Sequence, residues 1–214
     1  MNWNIDLQSE KFSLEAINIC KAYKDVEVVG HFNINLSKGD VIGLVGDNGT
    51  GKSTIMRIIA LIDSMDSGKL IINGENAYDN IKYYRSEIGY IPQSNALIEE
   101  MTAIDNLKLF SLLNKKETII KIIELSEAFN MNDFMYKKVK HLSGGMKRRV
   151  NIAAGIINNP RIIIADEPFA GLDSTQRKRV IEYFKKLSNN GVGQLITSHY
   201  VENLRDWSKS IIAI

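Results

Sequence analysis

The sequence predicts an α/β fold on a mostly parallel sheet, with an antiparallel β-subdomain at the start of the chain and an inserted helical subdomain. Three observations lead to this prediction. Val41–Val45 and Ile162–Ala165 are short, uninterrupted apolar runs, which are typical of parallel strands covered on both faces. Strand-like and helix-like segments alternate on both sides of the middle of the chain. Between about residues 101 and 157 the apolar residues recur with the period of a helix instead.

The chain before residue 46 consists of predicted strands. Residues 12–19 form one apolar-rich run. A second run has apolar residues at alternate positions, which is the period of a half-buried strand. Those alternating residues are Phe32, Ile34 and Leu36. A turn at residues 37–40 then leads into the buried run at 41–45.

The middle of the chain changes first to a helix and then to a hairpin. Residues 53–62 have a helical pattern, and residues 69–72 with the Asn73-Gly74 turn predict a hairpin element. Further on, Thr102 with Asp105 is an N-cap pattern for the inserted helices. The apolar residues expected on one face there are Ile104, Leu107, Phe110 and Leu113, and residues 119–125 continue the periodicity.

The last part of the chain returns to alternating elements. After the strand at 162–165 we expect a helix over residues 174–190 and strands over residues 194–197 and 210–214. The sequence therefore predicts a single domain with two lobes. The core lobe covers about residues 1–93 and 158–214, and the helical lobe about residues 94–157.

Composition excludes several classes of protein. Among 214 residues, 27 Lys and Arg balance 25 Asp and Glu, a net charge of +2 that is too small for an electrostatic nucleic-acid binder. The single cysteine, Cys20, cannot form an internal disulfide, which suits a reducing compartment. No apolar run reaches the ~18 to 20 residues that span a bilayer, and the start shows no secretory signal pattern. We expect a soluble, cytosolic chain.

A glycine-rich loop between the strand at 41–45 and the following helix matches the pattern G-x-x-x-x-G-K-[ST]. In this motif the backbone N–H groups and the helix N-terminus bind phosphate, the lysine reaches the β- and γ-phosphates, and the serine hydroxyl binds Mg²⁺. The alternative is a glycine-rich turn that only caps a helix. The residues of this phosphate loop are Gly46, Asp47, Asn48, Gly49, Thr50, Gly51, Lys52, Ser53 and Thr54.

Two acids follow the buried strand at 162–165. Because ligands collect at the carboxyl ends of strands in such sheets, Asp166 is expected beside the phosphate loop, where it would hold Mg²⁺ through water. Glu167 would then face the γ-phosphate and orient the attacking water or accept its proton. Taken alone, the pair reads equally well as exposed acids that cap the next turn.

A second anion-binding pattern precedes another helix. Leu142-Ser143-Gly144-Gly145-Met146 is followed by Lys147-Arg148-Arg149, which places a hydroxyl and bare N–H groups at a helix N-terminus. With this segment, the sequence resembles the ATP-binding-cassette (ABC) ATPase family. LSGGM is similar to the family's signature motif, GDNGTGKST to its Walker A motif, and IIIADEP to its Walker B motif with the catalytic glutamate.

Further residues resemble markers of this family, in the expected order. Gln93 is similar to the Q-loop glutamine that touches Mg²⁺ and the attacking water, and His199 to the switch histidine at the γ-phosphate. Asp173 resembles the D-loop aspartate at the dimer interface, and Tyr23 the aromatic residue that stacks on adenine. Taken singly, His199 reads as structural and Gln93 as a surface residue. Met146 departs from the glutamine common at its position.

The resemblance implies an ATPase that uses ATP and Mg²⁺ and closes on ATP as a homodimer. Each nucleotide would lie between one copy's Lys52 and the other copy's Ser143, Gly144 and Gly145. It also implies separate membrane-spanning permease subunits, whose coupling helix would enter the cleft near Gln93 and residues 94–101. The chain would then be peripheral on the cytoplasmic face of the membrane.

The short length and residues 88–106 look most like cassettes of the multidrug, peptide or haem exporter type, which implies export. One alternative is a soluble ABC ATPase that drives a cytosolic assembly machine, and another is a nucleotide sensor without turnover. Since the chain stops at its last predicted strand, we expect a minimal or truncated cassette.

Overall fold

The computed structural model describes residues 12–198 and 202–214. The strands in these residues are β1 (Ser13–Tyr23), β2 (Val26–Ser37), β3 (Val41–Val45), β4 (Ser67–Ile72), β5 (Glu75–Asn76), β6 (Ile88–Ile91), β7 (Ile162–Ala165), β8 (Gly193–Thr197) and β9 (Ser210–Ala213). The helices are α1 (Lys52–Ile59), α2 (Ile81–Glu87), α3 (Ala103–Phe110), α4 (Lys115–Ala128), α5 (Gly144–Ile156), α6 (Ser174–Asn189) and α7 (Glu202–Arg205).

The first sheet is antiparallel and has the strand order β2-β1-β4-β5. Leu14 pairs with Leu36 and Ala16 with Ile34, so that the alternating apolar residues of both strands face the same core. The two-residue connection between β4 and β5 has positive φ angles at Asn73 (54°) and Gly74 (83°), which suits a tight hairpin turn. The predicted hairpin is confirmed.

The second sheet is parallel and has the order β6-β7-β8-β3-β9. Every neighbouring pair in it is parallel, which confirms the fold class. Ile162 and Ile164 of β7 face a core shared with the antiparallel sheet and α1, whereas Ile163 and Ala165 face a core shared with α3 to α6. Because both faces of β7 are covered, its sequence is apolar without interruption.

Several element boundaries differ from the prediction. Helix α1 ends at Ile59 because Leu61 adopts a left-handed φ of 58° and turns the chain toward β4. The Leu61 carbonyl accepts a hydrogen bond from Nε of Arg85 at 2.8 Å, which stabilises this exit. Helix α3 is capped by Thr102 as predicted, but it ends at Phe110, and Leu113 therefore lies in the connection to α4.

None of the helices in the described ranges is both long and apolar enough to cross a membrane.

Candidate active site

The candidate site lies where four neighbouring strands of the parallel sheet end. The phosphate loop follows β3, Thr197 ends β8, Asp166 and Glu167 follow β7, and Gln93 follows β6 closely. Because these strands are parallel and adjacent, all of these residues come to the same edge of the sheet. The fold thus brings together segments that lie more than a hundred residues apart in the chain.

The phosphate loop requires glycine where its backbone passes closest to neighbouring strands. Gly51 has φ 88°, and a Cβ atom on it would lie 2.4 Å from the Val28 carbonyl oxygen. Gly46 has the same constraint, because its Cβ would lie 2.1 Å from the Ile214 carbonyl oxygen. Helix α1 begins immediately after, at Lys52, so its free N–H groups face the loop.

The ammonium group of Lys52 lies inside the curl of this loop. Its Nζ donates hydrogen bonds to the carbonyl oxygens of Gly46, at 2.8 Å, and Asp47, and Thr50 Oγ1 is 3.5 Å away. These contacts hold a positive charge beside the N-terminus of α1. A flexible lysine at this point is suited to bind phosphate oxygens.

The two acids after β7 are buried and share one neighbour. Asp166 is 3% exposed and Glu167 6% exposed. The hydroxyl of Thr197 donates to Asp166 Oδ1 at 2.7 Å and accepts the backbone N–H of Glu167, also at 2.7 Å. The reading of this pair as exposed capping acids is therefore wrong, because both carboxylates are packed at the sheet edge.

Glu167 also has an unusual backbone. Its φ of 48° lies in the left-handed region, which costs a residue with a Cβ about 1–2 kcal/mol. The surrounding bonds hold this conformation, among them the one from the Ala170 N–H to the Glu167 carbonyl at 3.1 Å. Strained residues of this kind concentrate at functional sites.

Tyr90 lies in β6, near the Asp166 carboxylate. Burial, together with the negative charge of Asp166, raises the pKa of Tyr90 to about 12. The phenol is therefore neutral at physiological pH and adds no charge to the site.

Gln93 is exposed, and its backbone carbonyl accepts a hydrogen bond from Arg148 at 3.2 Å. His199 lies outside the described residues.

Tyr23 is the last residue of β1, with 43% of its surface exposed, and its hydroxyl lies 3.2 Å from Asp63 Oδ2. This ring is open to solvent on the hairpin that precedes the phosphate loop.

The signature segment, residues 142–149, forms the start of α5. Ser143 caps this helix by accepting the Met146 N–H at 3.3 Å, and both Ser143 and Gly144 are exposed. In the parts of the chain that the structure covers, no hydrogen bond joins Ser143 to the phosphate loop. Asp173 caps α6 in the same way, through the Gln176 N–H at 2.8 Å. Within one copy, the second predicted anion site is therefore open to solvent.

Two residues of the site were missed by sequence reasoning. Thr197 bridges Asp166 and Glu167, but its only signal in the sequence is that it ends a predicted strand two residues before His199. Arg148 is 4% exposed and bonds to the loops after β6 and β7. Arginine is normally read as a surface residue, and its burial here could not be predicted from residue type.

The oxygen donors at this edge fit a hard cation such as Mg²⁺. Asp166 is a buried carboxylate, and Ser53 and Gln93 carry neutral oxygen atoms. Among residues 12–198 and 202–214, no group of three or more His, Cys, Asp and Glu is arranged to hold a metal ion. Mg²⁺ needs no such group, because it usually binds one or two carboxylates, water and substrate phosphates.

Known proteins share this sequence and fold. Residues 29–170 match the family described as "ABC transporter". The linearmycin resistance ATP-binding protein LnrL of Bacillus subtilis is 35% identical over 195 residues, which cover 89% of this chain and 62% of LnrL. The chain thus spans less than two thirds of that relative.

Relatives of more similar length are named for either direction of transport. The lipopolysaccharide export system ATP-binding protein LptB of Haemophilus influenzae is 34% identical, with 90% of this chain and 83% of LptB covered. The phosphonates import ATP-binding protein PhnC 2 of Oceanobacillus iheyensis is 30% identical, with 94% and 86% covered.

Solved structures agree with these relatives. The dimeric post-hydrolysis structure of the ATP-binding cassette MJ0796, bound to ADP and Pi, matches with a TM-score of 0.87 and 28% identity, covering 94% of each chain. The phosphate loop, the buried acids and the capped signature helix are thus found on a shared fold, and this chain belongs to the ABC transporter family of ATP-binding proteins.

Proposed function

We propose that this chain is the ATP-hydrolysing subunit of an ABC transporter, which closes on ATP with a second cassette and drives separate membrane-spanning subunits. The observation that carries the proposal is the convergence at one sheet edge of the Lys52 loop with the buried pair Asp166 and Glu167. A nucleotide sensor without turnover would have no use for Glu167, whose proposed role is to activate the attacking water. In this proposal the core lobe comprises about residues 1–93 and 158–214, and the helical lobe about residues 94–157.

ATP would lie along the phosphate loop and the N-terminus of α1. Residues 46–54 would bind its phosphates, mainly through backbone N–H groups, and Lys52 would move from its carbonyl partners to the β- and γ-phosphate oxygens. Adenine would stack on the exposed ring of Tyr23. Ser53, Asp166 and Gln93 would hold Mg²⁺, which neutralises charge that develops on the phosphates during hydrolysis.

Hydrolysis would depend on groups that surround the γ-phosphate. Glu167 would orient the attacking water and accept its proton, since hydrogen bonds to its backbone N–H and carbonyl hold this residue in the turn after β7. Gln93 and His199 would contact the water and the γ-phosphate. These roles follow the positions of the residues in the family's motifs.

A second copy of the cassette would complete each site. Ser143 and Gly144 are exposed at the start of α5, where free N–H groups favour an anion, and within residues 12–198 and 202–214 no hydrogen bond joins Ser143 to the phosphate loop. A head-to-tail homodimer would bring these residues, with Gly145 and Asp173, to the nucleotide of the other copy. The dimeric MJ0796 structures support this arrangement.

The membrane partner would dock between the two lobes. The family resemblance implies that its coupling helix contacts Gln93 and residues 94–101. A cleft of about 460 Å³ is a further surface for this partner, and it is lined by residues of α2 and the preceding turn (Asn80, Lys82, Tyr83, Arg85 and Ser86) and by Leu112 of the α3–α4 connection. Tyr83 is 47% exposed and Leu112 74% exposed, which is an apolar surface that a helix of a partner would cover. The chain would thus be peripheral on the cytoplasmic face of the membrane. We propose export as the direction of transport, because relatives such as LptB are named for export systems.

The second candidate is a soluble ABC ATPase that drives a cytosolic assembly machine. Capture of this chain from gently solubilised cells distinguishes the two candidates. We expect a polytopic membrane protein to be recovered with it, and recovery of soluble proteins alone would favour the second candidate.

Glu167→Gln tests the proposed chemistry. We expect hydrolysis to slow by about 10² to 10⁴-fold, because the amide cannot accept a proton, while ATP traps the variant as a dimer in size-exclusion chromatography with light scattering. Lys52→Ala is the control that should neither bind ATP nor dimerise. If the variant releases phosphate at the wild-type rate, the role of Glu167 is wrong, and if the wild-type chain releases none, the ATPase proposal fails.

A further inference from the structure

Arg148 lies in the second turn of α5, within the signature segment, and its side chain reaches the loops after β6 and β7. It is only 4% exposed, although it carries a charged side chain that normally remains in water. A buried guanidinium is stable only when its donors are satisfied.

All five N–H donors of this guanidinium are used. On one side, Nη1 donates to the carbonyl oxygens of Pro92 at 2.6 Å and Gln93 at 3.2 Å. On the other side, Nη2 donates to the carbonyls of Asp166 and Glu167, both at 2.8 Å, and Nε to that of Pro168 at 3.2 Å. One side chain therefore binds the backbone of the loop after β6 and of the loop after β7.

The positive charge of Arg148 interacts with the Asp166 and Glu167 carboxylates. Burial lowers its pKa to about 10, against the opposite effect of the Asp166 and Glu167 carboxylates. At neutral pH the guanidinium is still protonated, and it contacts the two acids through their backbone carbonyls.

The rest of α5 is docked firmly on the same loop and strand. Asn151 donates to the Pro92 carbonyl at 3.2 Å and accepts the Ala96 N–H at 3.1 Å. A Cβ atom on Gly89 of β6 would lie 2.2 Å from the Gly155 carbonyl oxygen, so helix and strand cross at backbone contact. Movement of α5 must therefore move the loop that carries Gln93.

We propose that Arg148 is a positioning residue. It fixes the backbone of Gln93 and the backbone of Glu167 relative to each other, and it links both to α5, the helix that Ser143 caps. This inference rests on the proposed ATPase function. In the dimer, Ser143 would contact the nucleotide of the other copy, whereas Gln93 and Glu167 would act on the nucleotide of their own copy. Arg148 would therefore connect the two nucleotide sites mechanically.

The test compares Arg148→Gln with Lys121→Gln in the whole 214-residue chain. Lys121 is a matched control because it is also a buried cation on a helix, with 9% of its surface exposed. Its ammonium group donates to Glu124 Oε2 at 3.0 Å and to the Tyr183 hydroxyl at 3.3 Å, so it joins α4 to α6 rather than the loops after β6 and β7. Both variants should lower the melting temperature.

Only Arg148→Gln should lower kcat, by about tenfold or more, because small displacements of catalytic groups have effects of that size. ATP affinity, measured with a fluorescent nucleotide, should change less than about twofold, because the phosphate loop is untouched. Arg148→Lys keeps the positive charge but lacks the planar guanidinium, so its kcat should also fall. If Arg148→Gln does not fold, Arg148→Lys is measured in its place.

A second measurement separates positioning from general loss of structure. If Arg148 acts through the loop of Gln93, the loss of kcat from Arg148→Gln should be smaller in a Gln93→Ala background than in the wild type. Equal losses of kcat in the Arg148→Gln and Lys121→Gln variants, or wild-type kcat in Arg148→Lys, would overturn the inference. A wild-type chain without ATP hydrolysis would instead refute the proposed function.

Discussion

The hydroxyl oxygen of Thr197 lies 2.7 Å from Oδ1 of Asp166, and this bond joins the end of β8 to the end of β7. Since the same hydroxyl accepts the N–H of Glu167, one small side chain orients the predicted metal ligand and the backbone of the predicted catalytic acid. Thr197 is fully buried, so water cannot replace its hydroxyl.

Thr197→Val removes this hydroxyl at nearly constant volume. The buried Asp166 carboxylate and the Glu167 N–H each lose a partner, so we expect unfolding free energy to fall by about 1–3 kcal/mol and ATP hydrolysis to slow strongly. Thr197→Ser keeps the hydroxyl and should preserve most of the hydrolysis rate. Denaturant unfolding and phosphate release measure the two effects; a valine variant with wild-type values in both would show that the bridge is dispensable.

The exposed ring of Tyr23 should contribute to ATP affinity by stacking. We expect Tyr23→Ala to weaken ATP binding by about 1–3 kcal/mol, which is the range for stacking of a base on an aromatic side chain. Tyr23→Phe keeps the ring and loses only the hydroxyl, which interacts with Asp63 and Arg57, so it should bind ATP almost as well as the wild type. Isothermal titration with ATP measures both, and equal binding by the alanine variant would place adenine elsewhere.

The exposed start of α5 allows a test of the proposed dimer that leaves the fold intact. A Cβ atom on Gly144 would meet nothing within 4 Å, so Gly144→Glu should fold normally. Its carboxylate would repel the triphosphate of the other copy, and we expect ATP-dependent dimerisation of a Glu167→Gln background to be lost. Tyr136→Glu adds the same charge at a site that is 80% exposed and should dimerise unchanged. A dimer that tolerates Gly144→Glu would contradict the proposed interface.

The ion pair between Arg57 and Asp63, 2.7 Å apart beside Tyr23, predicts a specific pH dependence. Its hydrogen bond lowers the Asp63 pKa below 3.8 in the folded chain, so the pair stabilises the fold above that pH and loses its effect as pH falls through the folded pKa. Because the pair is partly exposed, the wild type should exceed Asp63→Asn by only about 0.2–1 kcal/mol at neutral pH.

That difference in unfolding free energy should stay constant from about pH 7 to pH 5 and shrink below pH 3.8. In an Arg57→Gln background it should be small at every pH. A difference that grows on acidification would contradict the assignment of the pair.

Strong local patterns were sufficient to predict much of the fold. The uninterrupted apolar run of β7 was predicted at its observed bounds because both of its faces are covered, and the Thr102 cap marked the start of α3. By contrast, α2 and β6 were not predicted. β6 has four residues, one of them Gly89, which is too short to show a period, and its pairing with β7 exists only in the folded chain.

For the site, residue types, their spacing and the family resemblance predicted the phosphate loop, the acids after β7 and the signature segment, because each needs only a particular local backbone and side-chain chemistry. The tertiary structure decided which of these meet. Parallel pairing of β6, β7, β8 and β3 brings their carboxyl ends together, Thr197 joins two of those ends, and Arg148 is buried between two loops. Such contacts depend on strand order and burial, which arise from packing over long sequence distances and leave no local pattern.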